Sequence, residues 1–496
     1  KLLAALLAVA MVCAMAIPAF AYNPGETKED LNTKHDYGAF QIFEGVISKD
    51  NETLSDVNWG SNIDPDNFLP QLKSADTIGP LFANANSAQD VLEVISQWHD
   101  SDDNSIAFAR VVCHYLYPDA NANPTPVATD HTGGINIPKS GYYLIVDTST
   151  FSDDDFYHAY NSFFLLNVPQ TPYVVLVNHK VVKPTVEKEV YDNNDIGSTG
   201  GWGSSADHAI NEPFQFRLIA KLPASENNGR AYDYYKKYTV CFNDTLSDGI
   251  TFDKLDTVEI TNGDGSTPQV INNYTLDPND PQSSFKLSID DVKTCVPDLN
   301  KGATITVTYT AHLNDKATVN TANGSKTTDN KNSVYLEYSN NPRIDTSLDH
   351  TITSEVCVYT YQLNNTKYRD EVNENNKLAG AGFRLYSNEA CNAEDEIKLK
   401  MNDDGTYSRD FSTEGKGVEM RSNKDGQFNV KGLDAGTYYL KETTPPEGFT
   451  SCSVIPPVTI TANHTKDHVD LSGNLSTTII NKKAGGITLP STGGIG

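Results

Sequence analysis

Basic residues are scarce: 38 Lys and Arg stand against 65 Asp and Glu, a formal net charge of −27 over 496 residues. The deficit is spread along the chain. It argues against nucleic-acid or anionic-membrane partners, both of which need clustered basic surface, and it reads as a solvated acidic exterior. Catalytic signatures are missing too. There is no HExxH, GxSxG or P-loop, so hydrolase and nucleotide-binding readings have no support, and neither an enzyme nor a cofactor is expected. Of the seven cysteines, none has CxxC or Cys/His zinc spacing. The acidic runs at 100–104 and 152–155 lack the Gly and terminal Glu of a calcium loop and read as solvated loops. Asp147-Thr148-Ser149 opens like a metal-dependent adhesion motif, but Phe151 stands where a second serine belongs. No metal is therefore expected.

The long apolar run is confined to residues 1–21, behind a basic residue and ending in Ala19-Phe20-Ala21, the small-x-small pattern of an exported protein's signal peptide. Export permits disulfides among Cys113, Cys241, Cys295, Cys357, Cys391 and Cys452. Cys391 with Cys452 is the best single pairing; free buried thiols are the alternative, since the first domain holds only Cys113. At roughly 150 residues per domain, the mature chain makes three domains.

Strand signals dominate. GYYLIVDTST, NSFFLLNV, YVVLVNHKVV, KYTVCFND, ATITVTYTAHL, SVYLEYSNNP, GQFNVKGL and TYYLKET carry β-branched or aromatic residues between polar turns. Helical spacing of apolar residues occurs over 88–99 and 107–116. The fold class is therefore mainly all-β, in tandem antiparallel sandwiches, with some helix in the first. Lys183-Pro184-Thr185 and Asn341-Pro342-Arg343 mark the joints. They give domains at 22–181, 182–345 and 346–483, then a linker at 484–496 rich in small residues.

That linker holds LPSTG: Leu489, Pro490, Ser491, Thr492 and Gly493. It matches the LPxTG signal that sortase cleaves between Thr and Gly. The membrane span and basic tail that accompany such signals do not appear before Gly496, and with no initiator Met the sequence is expected to be a fragment at both ends. FQIFEGVIS near Phe40 and GYYLIVD at 141–147 resemble the first domain of Gram-positive backbone pilins. LAGAGFRLY and TYYLKETTPPEGF resemble a CnaB-type domain, whose Y-x-L-x-E strand is the E-box of pilins. The resemblance implies a wall-anchored surface protein that is polymerised by sortase into a pilus with other copies of itself. Accessory pilins and peptidoglycan would be further partners. A wall-anchored adhesin, or a tip or base pilin with a host ligand, is the alternative.

Pilin sandwiches of this kind join a Lys amine to an Asn amide, losing ammonia, with help from a buried Asp or Glu. The chemistry needs an uncharged amine and a protonated acid, and desolvation favours both. In the second domain Lys188 shares a strand face with Val186 and Val190, an unusual place for a lysine. Asp244 ends the row Tyr238, Val240, Phe242. Val334, Leu336, Tyr338 and Asn340 form a third row, where parity favours Asn340 over Asn341. The resemblance implies the trio Lys188, Asp244 and Asn340. In the third domain the corresponding rows hold Lys367, Glu442 and Asn481. The ordinary alternative for each set is a snorkelling lysine, a surface carboxylate and a strand-end asparagine. The first domain offers no such set. The resemblance also implies a sortase acceptor lysine near the end of the first domain. Lys180 holds that position, with His179 where Pro is expected, and Lys183 is the second candidate.

Overall fold

The computed structural model describes residues 35–485 except 48–53, 100–101, 131–133, 152–157, 169–172, 177–180, 195–199, 227–228, 279–282, 413–415 and 453. Three β-rich units succeed one another, each around apolar side chains of its own.

In the first unit, the strand Tyr37–Ile47 lies between Leu54–Trp59 and Gly141–Asp147, and Phe164–Val168 pairs beyond the latter. Helices Ala88–Ile95 and Asp103–Leu116 form where apolar spacing predicts them. Ser87 and Asp90 close a capping box at the start of the former. A further helix, Pro65–Lys73, has no clear signal in the sequence because prolines punctuate it; Pro65 sits in its first turn, where a missing N–H costs nothing, and Asp64 caps it. Phe68, Phe82, Phe108 and Val112 bury against Phe40 and Phe43 of the sheet.

The second unit is a sandwich of two sheets. Ala303–Leu313 alternates without a break, turning Ile305, Val307, Tyr309, Ala311 and Leu313 inward. It pairs with Pro213–Leu222 and Ile250–Asn262, and Pro213–Leu222 pairs in turn with Thr185–Asp192. In the facing sheet Lys331–Ser339 runs between Val240–Leu246 and Ser354–Tyr359.

The third unit packs Tyr361–Arg369, flanked by Val430–Leu433 and Ser476–Asn481, against a sheet that includes Gly382–Tyr386, Gly436–Thr444 and Val458–His464. The pairing of Tyr361–Arg369 with Ser476–Asn481 is parallel, so the unit's first and last long strands lie side by side. One short strand of the second unit, Gly324–Lys326, pairs across the joint with Val469–Gly473 of the third.

The second joint falls later than its proline suggests. Ser354–Tyr359 pairs with Lys331–Ser339, and Val356 and Val358 enter the second core, so that sandwich extends past residue 345 to about residue 359. Pro342 instead belongs to a loop that reaches back to the first unit. Arg343 of that loop lies over the rings of Tyr117 and Tyr160, 5.0 and 4.7 Å from their centroids. A fragment covering 182–360 should therefore unfold cooperatively. One ending at 345 loses two buried valines, at about 1.5–3 kcal/mol each, and leaves a sheet edge open. Circular-dichroism melts of the two fragments should show the shorter one less stable by at least several degrees.

Candidate functional site

The second sandwich buries a lysine. Lys188 lies on Thr185–Asp192 with its side chain fully enclosed, and it ion-pairs with Asp244, equally enclosed, from the facing sheet. Its Nζ stands 5.3 Å from the ring centroids of both Phe216 and Tyr309. Burial among these rings lowers the amine's pKa to about 8, although Asp244 opposes the shift. The same burial raises the Asp244 carboxyl, with Lys188 and Tyr309 pulling it back.

Tyr309 connects the parts. Its hydroxyl donates to Asp244 Oδ1 at 3.0 Å and accepts from Lys188 Nζ at 3.1 Å and from Asn332 Nδ2 at 2.6 Å. One donor and two acceptor sites are thus all used. Asn332 is fully buried, yet its Oδ1 has no hydrogen-bond partner among the described residues. That oxygen is where negative charge develops if an amine adds to Cγ.

The structure does not bring Asn340 to this cluster. Asn340 shares the strand face of Asn332 but stands eight positions further on, roughly 25 Å along an extended chain. There its Oδ1 accepts from Ser347, and its carbonyl accepts from the backbone of Tyr160 in the first unit. Antiparallel register decides the matter. Asp244 faces Val334 and Leu246 faces Asn332, so the end of the strand that reaches the buried lysine is the Asn332 end. Asn332 therefore replaces Asn340 in the trio, and Tyr309 is a fourth member that inward parity on Ala303–Leu313 would have exposed.

In the third sandwich the residues read from the sequence do meet. Lys367 Nζ lies 2.5 Å from Asn481 Oδ1 and 3.1 Å from Glu442 Oε1. Asn481 Nδ2 donates to that same Oε1 at 2.8 Å, while Glu442 Oε2 accepts from the backbone of Cys452 at 2.7 Å. The lysine and glutamate side chains are at most 1 % exposed. Burial lowers the Lys367 pKa against the pull of Glu442. Parallel register aligns Arg369 with Asn481, which lets Lys367 and Asn481 reach each other from neighbouring strands. In the second sandwich, by contrast, lysine and asparagine approach from opposite sheets. Among the described residues, Lys188 and Lys367 are the buried lysines.

Either cluster can support a condensation. The neutral Nζ adds to the asparagine Cγ, the protonated acid hands its proton to Nδ2 and takes up the one the lysine sheds, and the Cγ–Nδ2 bond breaks as ammonia leaves. In the second sandwich Tyr309 bridges the acid and the leaving nitrogen.

Other expectations fare differently. Cys391 and Cys452 are not bridged, nor is any of the other four described cysteines. Cys391 lies beyond Tyr386, which pairs with Tyr439, whereas Cys452 is tied to Glu442, which pairs with Phe383 toward the opposite strand end. Asp147 uses both carboxylate oxygens on His35, Ser149 and Asn161, a structural knot that ties down the start of the first unit. Lys180 and residues 489–493 lie outside the described residues; Lys183 is half-buried beside the first joint.

Fold and clusters together define a class: tandem β-sandwiches, two of which enclose a lysine, an acid and an asparagine. Residues 360–474 match the sequence profile of the SpaA family, described as a prealbumin-like fold domain. No curated protein matches the chain. Among solved structures, it is similar to the T6 backbone pilin of serotype M6 Streptococcus pyogenes (14 % identity, 91 % of this chain, 96 % of that one, TM-score 0.45). It is also similar to the full-length major pilin RrgB from Streptococcus pneumoniae (14 %, 95 % and 96 %, 0.43). A third is the full-length major pilin SpaD from Corynebacterium diphtheriae (16 %, 91 % and 93 %, 0.42). Identity is low and superposition loose in all three, so the side chains above carry the argument.

The clusters lead to two expected outcomes. Asn332→Ala should leave the intact protein one ammonia loss short of the wild type by mass spectrometry, whereas Asn340→Ala should change nothing beyond its own side chain. In refolding protein, ammonia loss from the second sandwich should slow as pH rises past about 8, where the Lys188–Asp244 pair loses its shared proton. The neutral amine and protonated acid together hold one proton, as the ion pair does, so the reactive form is lost with it, and the rate is read from the mass shift against time.

Proposed function

We propose that the chain is the shaft subunit of a covalent cell-surface pilus of a Gram-positive bacterium. Its second and third sandwiches are each locked by a lysine–asparagine isopeptide bond. The two buried clusters are the observation that carries this reading. Burying an amine costs several kcal/mol unless the charge is paired or lost, and two consecutive sandwiches that both do so, each with an acid and an asparagine at hand, make sense as sites of bond formation. Asp244 and Glu442 are the proton-handling acids; Lys188 with Asn332, and Lys367 with Asn481, are the joined pairs. The prealbumin-like match over the third sandwich supports the reading from an independent direction.

Assembly rests on the signal at 489–493. Sortase would cleave after Thr492 and pass the threonyl group to an exposed amine on another copy, so this protein supplies substrate groups and no catalysis. Lys180 is the proposed acceptor. It precedes both cross-linked sandwiches while Thr492 comes after them, and joining one end to the other in successive copies gives an open fibre rather than a closed dimer. The finished subunit is wall-attached, with sortase, accessory pilins and peptidoglycan as partners.

Wall extracts boiled in SDS should show a ladder of multiples of the subunit. Lys180→Ala should leave a monomer that still loses two ammonias, and Thr492→Ala should abolish both ladder and wall attachment. A ladder that survives Lys180→Ala and disappears in Lys183→Ala moves the acceptor; a single band from the wild type contradicts the shaft role.

A further inference from the structure

Where the second sandwich meets the third, ionisable side chains from both converge. Asp192 ends Thr185–Asp192, Asp207 ends Ser205–Asp207 and His464 ends Val458–His464. Asp434 comes from the turn before Gly436–Thr444. Asp192 and Asp207 have no exposed surface, and the His464 side chain is 7 % exposed. One potential ligand atom from each of Asp192, Asp207 and His464 lies within 4.8 Å of the other two, and His464 Nε2 is 3.2 Å from Asp192 Oδ2. Ligands held at about 2.0–2.4 Å from a common ion stand roughly 3–4.8 Å apart.

Two further details point to a ligand. His464 Nδ1 is bonded to Ser205 Oγ at 2.8 Å, which sets the ring and directs Nε2 at the carboxylates, as outer partners do for metal-binding histidines. Asp207 Oδ2 accepts from Tyr361 at 2.8 Å, while the fully buried Asp207 Oδ1 has no N–H donor among the described residues, the carboxylate being hydrogen-bonded side chain to side chain with Asp434. The Asp434 carboxyl lies against Asp207. Two carboxylates meet one imidazole, with the carboxyl of Asp434 beside Asp207.

We propose that Asp192, Asp207 and His464 bind a single divalent transition cation, zinc or manganese, with Asp434 alongside as a further oxygen donor. An imidazole among carboxylates suits these ions, whereas calcium and magnesium take oxygen ligands alone. Two ligands belong to the second sandwich and the others to the third, so the ion fastens one to the other. This site is independent of the isopeptide clusters and of the pilus reading.

The test uses the whole chain, stripped with chelator and titrated calorimetrically with zinc, manganese and calcium chlorides in separate runs. The expected result is one zinc or manganese ion bound per chain, with a raised melting temperature. Asp207→Asn and His464→Gln should each weaken binding by about tenfold or more. Both variants should keep the wild-type circular-dichroism spectrum in the absence of metal, which shows that the sandwiches remain folded. No stoichiometric zinc or manganese binding, binding that both substitutions leave unchanged, or binding of calcium alone would each overturn the proposal.

Discussion

A lysine amine enclosed by aromatic rings is the constraint around which the second and third sandwiches are arranged. The ammonium form is costly there, so the interior must supply an opposite charge, remove the proton or consume the amine. Around Lys188 the first is visible in Asp244, and burial moves toward the second by bringing the amine's pKa down to about 8. Tyr309 then organises what remains, holding acid, amine and the Asn332 amide on one hydroxyl. Lys367 meets the same demand with fewer parts, because parallel neighbours bring Asn481 to it directly and Glu442 touches both. Two geometries thus answer one electrostatic problem: the strand pairings around the two lysines differ, while each lysine still has an acid and an asparagine at hand.

Much of this is legible in the sequence, because a strand states its facing through a period of two. The alternation of Ala303–Leu313 and the inward parity of Lys188, Asp244, Lys367, Glu442 and Asn481 are sequence properties that the fold obeys. Depth along a strand is not such a property. Asn332 and Asn340 have identical parity, and only the pairing of Val240–Leu246 with Lys331–Ser339 reveals which one reaches the lysine. The second joint is misplaced by sequence reasoning for a related reason. Pro342 marks a break in pairing, but a loop within a sandwich and a boundary between sandwiches break it alike. The helix Pro65–Lys73 escapes notice because Pro65, tolerated in its first turn, and Pro70 inside it read as punctuation. The Cys391–Cys452 pairing fails because membership of one domain says nothing about which end of a sheet each cysteine occupies.

The joint between the second and third sandwiches is unlike a simple hinge. A short strand of the second sandwich pairs across it, Tyr361 reaches back to Asp207, and backbone groups of Ile210 and Gly432 bond directly at 3.0 Å. Gly432 is required there: it adopts φ +71°, and a Cβ would stand 2.5 Å from Ile210. The first joint is made differently, through Arg343 on aromatic rings and the exposed pair of Arg230 with Asp103.

The position of the lysines and asparagines along the chain also decides how a pull on the ends of the molecule would be carried. With both bonds formed, tension entering at Lys188 leaves at Asn332, and tension entering at Lys367 leaves at Asn481, so the polypeptide inside each loop is bypassed. Residues 333–366 belong to neither loop. Within them the strand Ser354–Tyr359 is held by hydrogen bonds and packing alone. Such contacts yield at far lower force than a covalent bond, so between the two loops this stretch would peel first. The subunit would then lengthen by a fixed amount while both covalent loops stay closed, a shock absorber placed between two inextensible links.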